Sequence, residues 1–448
     1  TFITIRGIES NPFIVNRAAV YIDGIPFRQP ADQALGFGEQ VEVLRGPQGT
    51  LYGANSESGL VLVRTRAPRD TAEAEATLGA RQFSGGHGQD GRLWVSGPLS
   101  STLAGSLAAS HETTDSYVRN PVSSIGEPGE LRNSYVQGKL RWQPAETPEV
   151  NLLAYASALR APGMYEQEFL PMDRSTYDTN YADAFNGGRR IGRRELLHDA
   201  PKRTEEDEFA IGTSLQHTFG AAVLDAALSW RKVEESSFGT DLDMTATPMS
   251  AGGHADDEDY LNFETRLSSA QDAGLRWVVG YAHYRDTRSK RLSTLVGPGG
   301  LDDYSYAPEQ TASARDHAMF AQLSVPWGER VRVGAGLRYE RATRGKRQQA
   351  GSLDLGPLGT FGFPAEDLER TFDDLLPRVS IDWKPTDAWM LYASAAKGWI
   401  PGGFNLAAGG LSVERDYARY DAESLWTYEL GAKATWLDGR MLFGAALF

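Results

Sequence analysis

The sequence predicts an all-β membrane protein built as a large antiparallel transmembrane β-barrel. Three observations predict it. Apolar residues recur at every second position, connections alternate between short and long, and tryptophans gather beside the short ones. Val331, Val333, Ala335, Leu337 and Tyr339 alternate with Arg332, Gly334, Gly336, Arg338 and Glu340. Phe209, Ile211, Thr213, Leu215 and Phe219 repeat the pattern, as do Trp426, Tyr428, Leu430, Ala432, Ala434 and Trp436. Period 2 is the strand period, and a barrel strand shows one parity to lipid and the other to its lumen.

Taken in order, the strands fall near 72–82, 89–97, 102–114, 131–143, 149–159, 205–219, 222–235 and 257–269. The series continues near 274–292, 311–325, 329–344, 371–385, 388–399, 421–437 and 440–448, about fifteen in all, and strands only. Short links such as Gly220-Ala221, Thr386-Asp387 and Asp438-Gly439 alternate with long ones at 115–130, 160–204, 236–256, 293–310, 345–370 and 400–420. Tight turns on one rim and long loops on the other suit an outer-membrane barrel. Trp142, Trp277, Trp327, Trp383, Trp389 and Trp436 lie at the short-turn rim, as an aromatic girdle requires.

Composition narrows the alternatives. The net charge of −14 makes nucleic acid a poor partner, and the absence of cysteine excludes disulfide or thiol chemistry. No apolar run approaches the roughly 18 residues of a membrane helix. Strands escape that requirement because only alternate residues meet lipid.

Residues 1–70 carry a different pattern. Val41 and Val43, then Leu60 and Leu62, alternate with polar neighbours around a loop containing Gly46, Pro47, Gly49, Gly53 and Gly59. Two short strands about tight turns are predicted. A phosphate cradle is rejected: no Gly-Lys-Ser/Thr follows, no helix pattern opens, and no acidic residue stands at dinucleotide spacing. The run VEVLRGPQGTLYG instead resembles the plug domain of TonB-dependent outer-membrane receptors. Ile3-Thr4-Ile5-Arg6-Gly7 and Ala19-Val20-Tyr21-Ile22-Asp23-Gly24-Ile25-Pro26 resemble two more plug segments in the family's order. One departure is Asn55-Ser56-Glu57-Ser58-Gly59, where the family often has an asparagine-threonine-glycine-glycine turn.

The resemblance implies a small α+β plug over residues 1–70, held in the lumen of a barrel formed by 71–448. Plugged transporter barrels have about 22 strands, so roughly seven are expected beyond Phe448. A signal peptide and TonB-binding box are expected upstream of Thr1. The implied function is TonB-dependent transport of a scarce nutrient, most often a ferric siderophore, across the outer membrane of a Gram-negative bacterium. TonB with its inner-membrane energising complex, a small-molecule ligand, and outer-membrane lipid and lipopolysaccharide are the implied partners. A monomer is expected, with no cofactor and no metal beyond iron inside a transported chelate. Cobalamin, glycans and aromatic compounds use the same scaffold, and a passive plugged channel or surface binding protein would lack the energy coupling.

Arg6 and Arg45 match the two plug arginines that pair with barrel glutamates in the family. Glu429, in Tyr428-Glu429-Leu430-Gly431-Ala432-Lys433, matches one of those glutamates, and the second is expected past Phe448. Register independently points Glu429 inward, away from Tyr428 and Leu430; its alternative is lumen water alone. Glu9, Asn11 and Phe13, then Phe27, Arg28 and Gln29, fall where family plug loops rise to the outer side and touch ligand. Plug–barrel packing is the alternative for each.

The connection 160–204 holds Tyr165, Phe169, Tyr177, Tyr181 and Phe185 with Arg189, Arg190, Arg193 and Arg194. Aromatics with arginines suit an anionic, conjugated ligand; lipopolysaccharide phosphate or bulk water are the other readings. The acidic runs Glu205–Glu208 and Asp256–Glu258 read as solvated rims, with divalent cations as the alternative. No enzyme is predicted. The seven histidines lack metal-ligand spacing, and neither Gly-x-Ser-x-Gly nor His-Glu-x-x-His occurs. A soluble β-rich hydrolase is the enzyme alternative.

Overall fold

The computed structural model describes residues 3–10, 17–27, 35–53, 56–116, 118–122, 129–161, 173–200, 203–270, 274–297, 303–356, 359–405 and 419–448. Fifteen strands succeed one another, each antiparallel to the last, from Glu73–Phe83 at one edge to Met441–Leu447 at the other. A single two-residue strand, Ser305–Tyr306, pairs with Arg276–Val296 beside this path. Every segment read from alternation is a strand.

The ladders preserve parity. Leu337 stands opposite Ala321 and Pro377, and Tyr339 opposite Met319 and Leu375. Met319, Leu337, Tyr339, Val379 and Ile381 are exposed on the outer face, whereas Phe320, Arg338, Glu340 and Leu376 are buried on the inner one. At the short-turn rim, Trp327 pairs with Val331, which pairs with Trp383, while the Trp389 and Trp436 rings meet edge-on at 5.4 Å.

Two expectations change. Strands beside the long connections run further than the alternation indicated, to Asp241 in Ala222–Asp241 and from Ser250 in Ser250–Ser269. Arg276–Val296, Val331–Gln348 and Glu366–Thr386 extend likewise. Beyond the hydrocarbon both faces can be polar, so the ladder continues where the apolar alternation stops. Nor is this region strands alone: Arg174–Phe185 is a helix. Asp173 accepts a hydrogen bond from the Thr176 N–H at 3.0 Å as its N-cap, and Gly187 and Gly188 adopt positive φ just beyond its end. Tyr177, Tyr181 and Phe185 stack along one face, a spacing of four that sequence reading could have used.

The plug comprises β1 (Ile3–Ile5), β2 (Ile8–Ser10), β3 (Ala18–Ile22), β4 (Ile25–Phe27), β5 (Gly38–Arg45) and β6 (Gly59–Thr65). β1 and β2 form a hairpin; the others form a mixed sheet in the order β4-β3-β6-β5, with β3 and β6 parallel. Both hairpin turns need positive φ at their two central residues, Arg6-Gly7 (54° and 77°) and Asp23-Gly24 (51° and 82°). The loop between β5 and β6 contains one helical turn, Gly49–Tyr52, where only tight turns were expected. Four residues are too few to display a 3.6-residue period.

Val20, Ile22, Ile25 and Val63 pack with Trp94, Tyr135, Leu153 and Tyr155, so one apolar core joins plug to barrel wall. Residues 66–72 lead from β6 to the first wall strand. Leu337 lies midway along the outer apolar row. Leu337→Arg is expected to lower barrel stability in lipid vesicles by about 2–4 kcal/mol. Gln322→Arg, on the inner parity, should cost far less; equal urea midpoints for the two variants would overturn the lipid–lumen assignment.

Candidate functional site: the plug–wall contact

The hairpin turn at Arg6 fixes a guanidinium at the plug margin, and the strand Glu423–Trp436 brings Glu429 to meet it. Arg6 Nη1 donates to Glu429 Oε2 at 2.8 Å, with both side chains about seven-eighths buried. The other oxygen, Oε1, accepts from the Tyr392 hydroxyl at 2.6 Å. Arg6 also stacks over the Phe448 ring at 4.3 Å. A shielded pair with an added hydroxyl donor satisfies the charges that removal from water would otherwise penalise.

Arg45 does not share this contact. It ends β5 on the same parity as Val41 and Val43, the exposed face of the plug sheet, and makes no ion pair among the described residues. The period-2 rule that points Glu429 inward carries Arg45 the other way. Glu429 therefore belongs to Arg6.

Further contacts spread along the β5–β6 loop. Thr50 Oγ1 donates to the Leu376 carbonyl at 3.2 Å, and Arg378 donates to Gln48 Oε1 at 3.3 Å. Lys139 on the wall meets Asp23 Oδ2 at 2.9 Å, the same oxygen accepts from Thr65 Oγ1 at 2.6 Å, and Oδ1 accepts from the Thr65 N–H at 2.9 Å. Arg17 grips Glu423 through two parallel bonds of 2.8 Å. Glu57, the departure noted in the plug turn, is fully buried against Gly398 of the wall. Arg17 approaches it only to 3.7 Å, and neither Glu57 oxygen has a hydrogen-bond partner among the described residues. Burial, reinforced by Glu423 and opposed by Arg17, pushes its carboxyl up from 4.5 to about 7. Sequence reading noticed the substitution but not its consequence, since one residue's burial has no local signal.

The remaining candidates divide. Asn11, Phe13, Arg28, Gln29, Tyr165 and Phe169, with the side chains of Glu9 and Phe27, lie outside the described residues. Arg189 is exposed and reaches Glu195 at 3.4 Å; Arg190 is exposed beside it. Tyr177 is buried and donates to the Met244 carbonyl, which makes it a packing residue of the outer region rather than a free ligand platform.

The acidic runs are not simply solvated rims. Glu208 and Asp256 turn inward and are buried, meeting Arg231 at 3.1 Å and Arg288 at 2.7 Å, while Asp207 turns outward to Arg160 at 2.8 Å. Alternation splits one charged run between two faces. Among the described residues, two groups of side chains converge closely enough to hold a metal ion: Asp199, Asp241 and Asp243, and Glu235, His254 and Asp256. In the second, Arg288 and Lys290 already supply cations to Asp256.

Glu429→Ala leaves Arg6 shielded without its counter-charge and is expected to weaken plug seating by about 2–4 kcal/mol. Protease digestion of the plug and ion leakage through the reconstituted protein should both increase; unchanged values would remove the latch role. Glu57 gives a pH signature. Its folded-state proton is held up to about pH 7 and its unfolded one is lost near 4.5, so stability falls as pH rises through that window. The loss amounts to roughly 3 kcal/mol. Glu57→Gln should flatten that part of the melting-temperature profile; a wild-type profile already flat there would contradict the buried proton.

A family description of the TonB-dependent receptor plug domain matches residues 1–60, and one of the TonB-dependent receptor-like β-barrel matches 167–448. The pesticin receptor of Yersinia enterocolitica is 26% identical over 443 residues, 96% of this chain and 59% of the relative. The ferrioxamine B receptor of Salmonella typhimurium is 23% identical over 354 residues, 72% of this chain and 47% of the relative. The chain thus spans about half to three-fifths of these relatives' lengths. In fold it is similar to the ferric yersiniabactin uptake receptor FyuA of Yersinia pestis, with a TM-score of 0.77 at 21% identity over 99% of this chain and 65% of that one. The siderophore receptor PiuA of Acinetobacter baumannii gives 0.76 at 14% identity, over 98% and 65%. With an inward-facing Glu429 receiving the plug arginine and both family descriptions matched in order, this chain belongs to the TonB-dependent receptors.

Proposed function

We propose that the whole protein takes up a ferric siderophore across the outer membrane of a Gram-negative bacterium, driven through TonB. The observation that carries this is the plug in the lumen, tied to the wall by separable charge pairs such as Arg6–Glu429 and Arg17–Glu423. A plug held by an apolar interface alone would resist displacement. Paired charges can exchange their partners for water when a pull opens the contact. The siderophore assignment is supported by the named relatives, receptors for pesticin and for ferrioxamine B.

The ligand enters from the long-loop side. Arg190, free of an ion pair among the described residues, is one cationic contact for an anionic chelate there. Asn11, Phe13, Phe27 and Arg28, which the family resemblance assigns to ligand contact, are the next. Iron is cargo within the chelate. The protein supplies binding and gating, and no catalytic group is assigned.

The test is radioiron uptake by iron-starved cells in which this is the sole receptor for the supplied siderophore. Uptake is expected to vanish without TonB while surface binding persists. Uptake that continues without TonB would make the protein a passive channel; expression that stays flat in iron-poor medium would shift the cargo to another nutrient.

A further inference from the structure

Glu423 and Glu429 stand on one face of the strand Glu423–Trp436, and they hold two plug arginines in different ways. Arg6 meets Glu429 and makes no second ion pair among the described residues. Arg17 meets Glu423 through both ends of its fork, each at 2.8 Å, and another carboxylate stands beside it. Glu57 Oε2 lies 3.7 Å from Arg17 Nη1, about 1 Å beyond a charge-assisted hydrogen bond. Arg17 is bonded to one acid and within a short swing of a second.

The two acids belong to different bodies. Glu423 is on the wall, whereas Glu57 is on the plug, in the turn before β6. The Arg17 carbonyl accepts from both the N–H and the Oγ of Ser58 at 2.9 Å, and Ala18 stands beside Gly59 where β3 and β6 run parallel. The backbone thus fastens Arg17 to the residue that follows Glu57. Any movement of the plug away from the wall carries Arg17 and Glu57 together and leaves Glu423 behind.

Glu57 is an odd residue for a static turn. It is fully buried, and Gly398 of the wall strand Trp389–Ile400 covers it so closely that a Cβ there would lie 3.1 Å from the Glu57 Cα. Neither of its oxygens has a hydrogen-bond partner among the described residues. The charged groups that face it are Arg17 from the plug and Glu423 from the wall, and Gly398 adds none. A neutral side chain would fill the turn without the penalty of a sealed, unbonded carboxyl. The acid is accounted for by a partner that it gains when the seal opens.

We propose that Arg17 is a two-position arm, bonded to Glu423 while the plug is seated and transferred to Glu57 as the plug leaves the wall. The transfer replaces one charge-assisted pair with another, so this contact opens without stranding either charged group of the plug. Glu57 loses its proton to water on the way, because its sealed carboxyl holds one up to about pH 7 and a carboxylate paired with Arg17 does not. Opening is therefore favoured as pH rises from the ordinary carboxylate range toward 7, and it is independent of pH above that. Arg6, which makes no second ion pair among the described residues, has only water to turn to. The inference rests on the reading that the plug moves during uptake, and it holds for any cargo.

The test uses the full-length protein in detergent, without siderophore or TonB. The 448 residues contain no cysteine, so Thr50→Cys gives them a single reporter thiol, at a site 3% exposed beside the Leu376 carbonyl of the wall. Any cysteine outside them is replaced by serine. The rate of modification by a dipyridyl disulfide, divided by the rate in the unfolded protein at the same pH, measures how often the β5–β6 loop leaves the wall. At about pH 5, where the seated Glu57 is neutral, Glu57→Gln is expected to lower that rate about threefold to fivefold, the worth of an exposed ion pair. In an Arg17→Gln background the same substitution should leave the rate unchanged. An equal effect in both backgrounds, or none in the first, would overturn the transfer. Should Arg17→Gln unseat the plug outright, Glu423→Gln decides the case. It lets Arg17 reach Glu57 with the plug still seated, so Glu57→Gln should again change nothing, and a retained effect refutes the proposal. Failure here with normal TonB-dependent radioiron uptake concerns the arm alone, whereas lost uptake concerns the function.

Discussion

Hydrocarbon tolerates neither an unpaired backbone group nor an unpaired charge, and this constraint organises the whole wall. Each strand between the two edge strands pairs both sides with neighbours, and each devotes one parity to lipid. The other parity then has to hold what lipid refuses. Arg338 lies beside Glu340 at 2.6 Å, and Arg231 beside Glu208 at 3.1 Å, all four buried on the inner face. A lumen lined by such pairs is polar enough to receive a second polar body, and the plug occupies it.

The plug is joined to that lining by two different kinds of force. Val20, Ile22, Ile25 and Val63 make an apolar seam with Trp94, Tyr135 and Leu153, whose stability scales with area and changes gradually with displacement. Arg6–Glu429, Arg17–Glu423 and Asp23–Lys139 are directional and short-ranged. Once water enters, each ion recovers hydration, so these contacts yield abruptly rather than by degrees. Glu57 works against the assembly when ionised, because burial denies it both water and a full partner. A plug fastened by ion pairs and opposed by a buried acid suits a part that must stay in place yet be dislodged.

Legibility differed by residue for physical reasons. Glu429 was readable twice, from its match to the family segment and from the parity of Tyr428 and Leu430. Arg45 was readable only by analogy, and the same parity rule, applied to β5, turns it away from Glu429. The helix Arg174–Phe185 was hidden by a loop-like composition even though Tyr177, Tyr181 and Phe185 stand at helical spacing. The acidic runs misled because adjacent carboxylates in a strand share a sequence neighbourhood but not an environment.

By itself the sequence determined the number and direction of the wall strands, which rim carries the short turns, and which parity faces lipid. Those properties are local, because a two-residue period and a turn signal are complete within a few positions. Only the tertiary structure decided which plug arginine meets Glu429, that Glu57 is sealed against Gly398, and that Arg17 stands between Glu423 and Glu57. Each depends on the pairing of segments far apart in the chain. That pairing is set by the register of the sheet and the seating of the plug, and no stretch of sequence contains it.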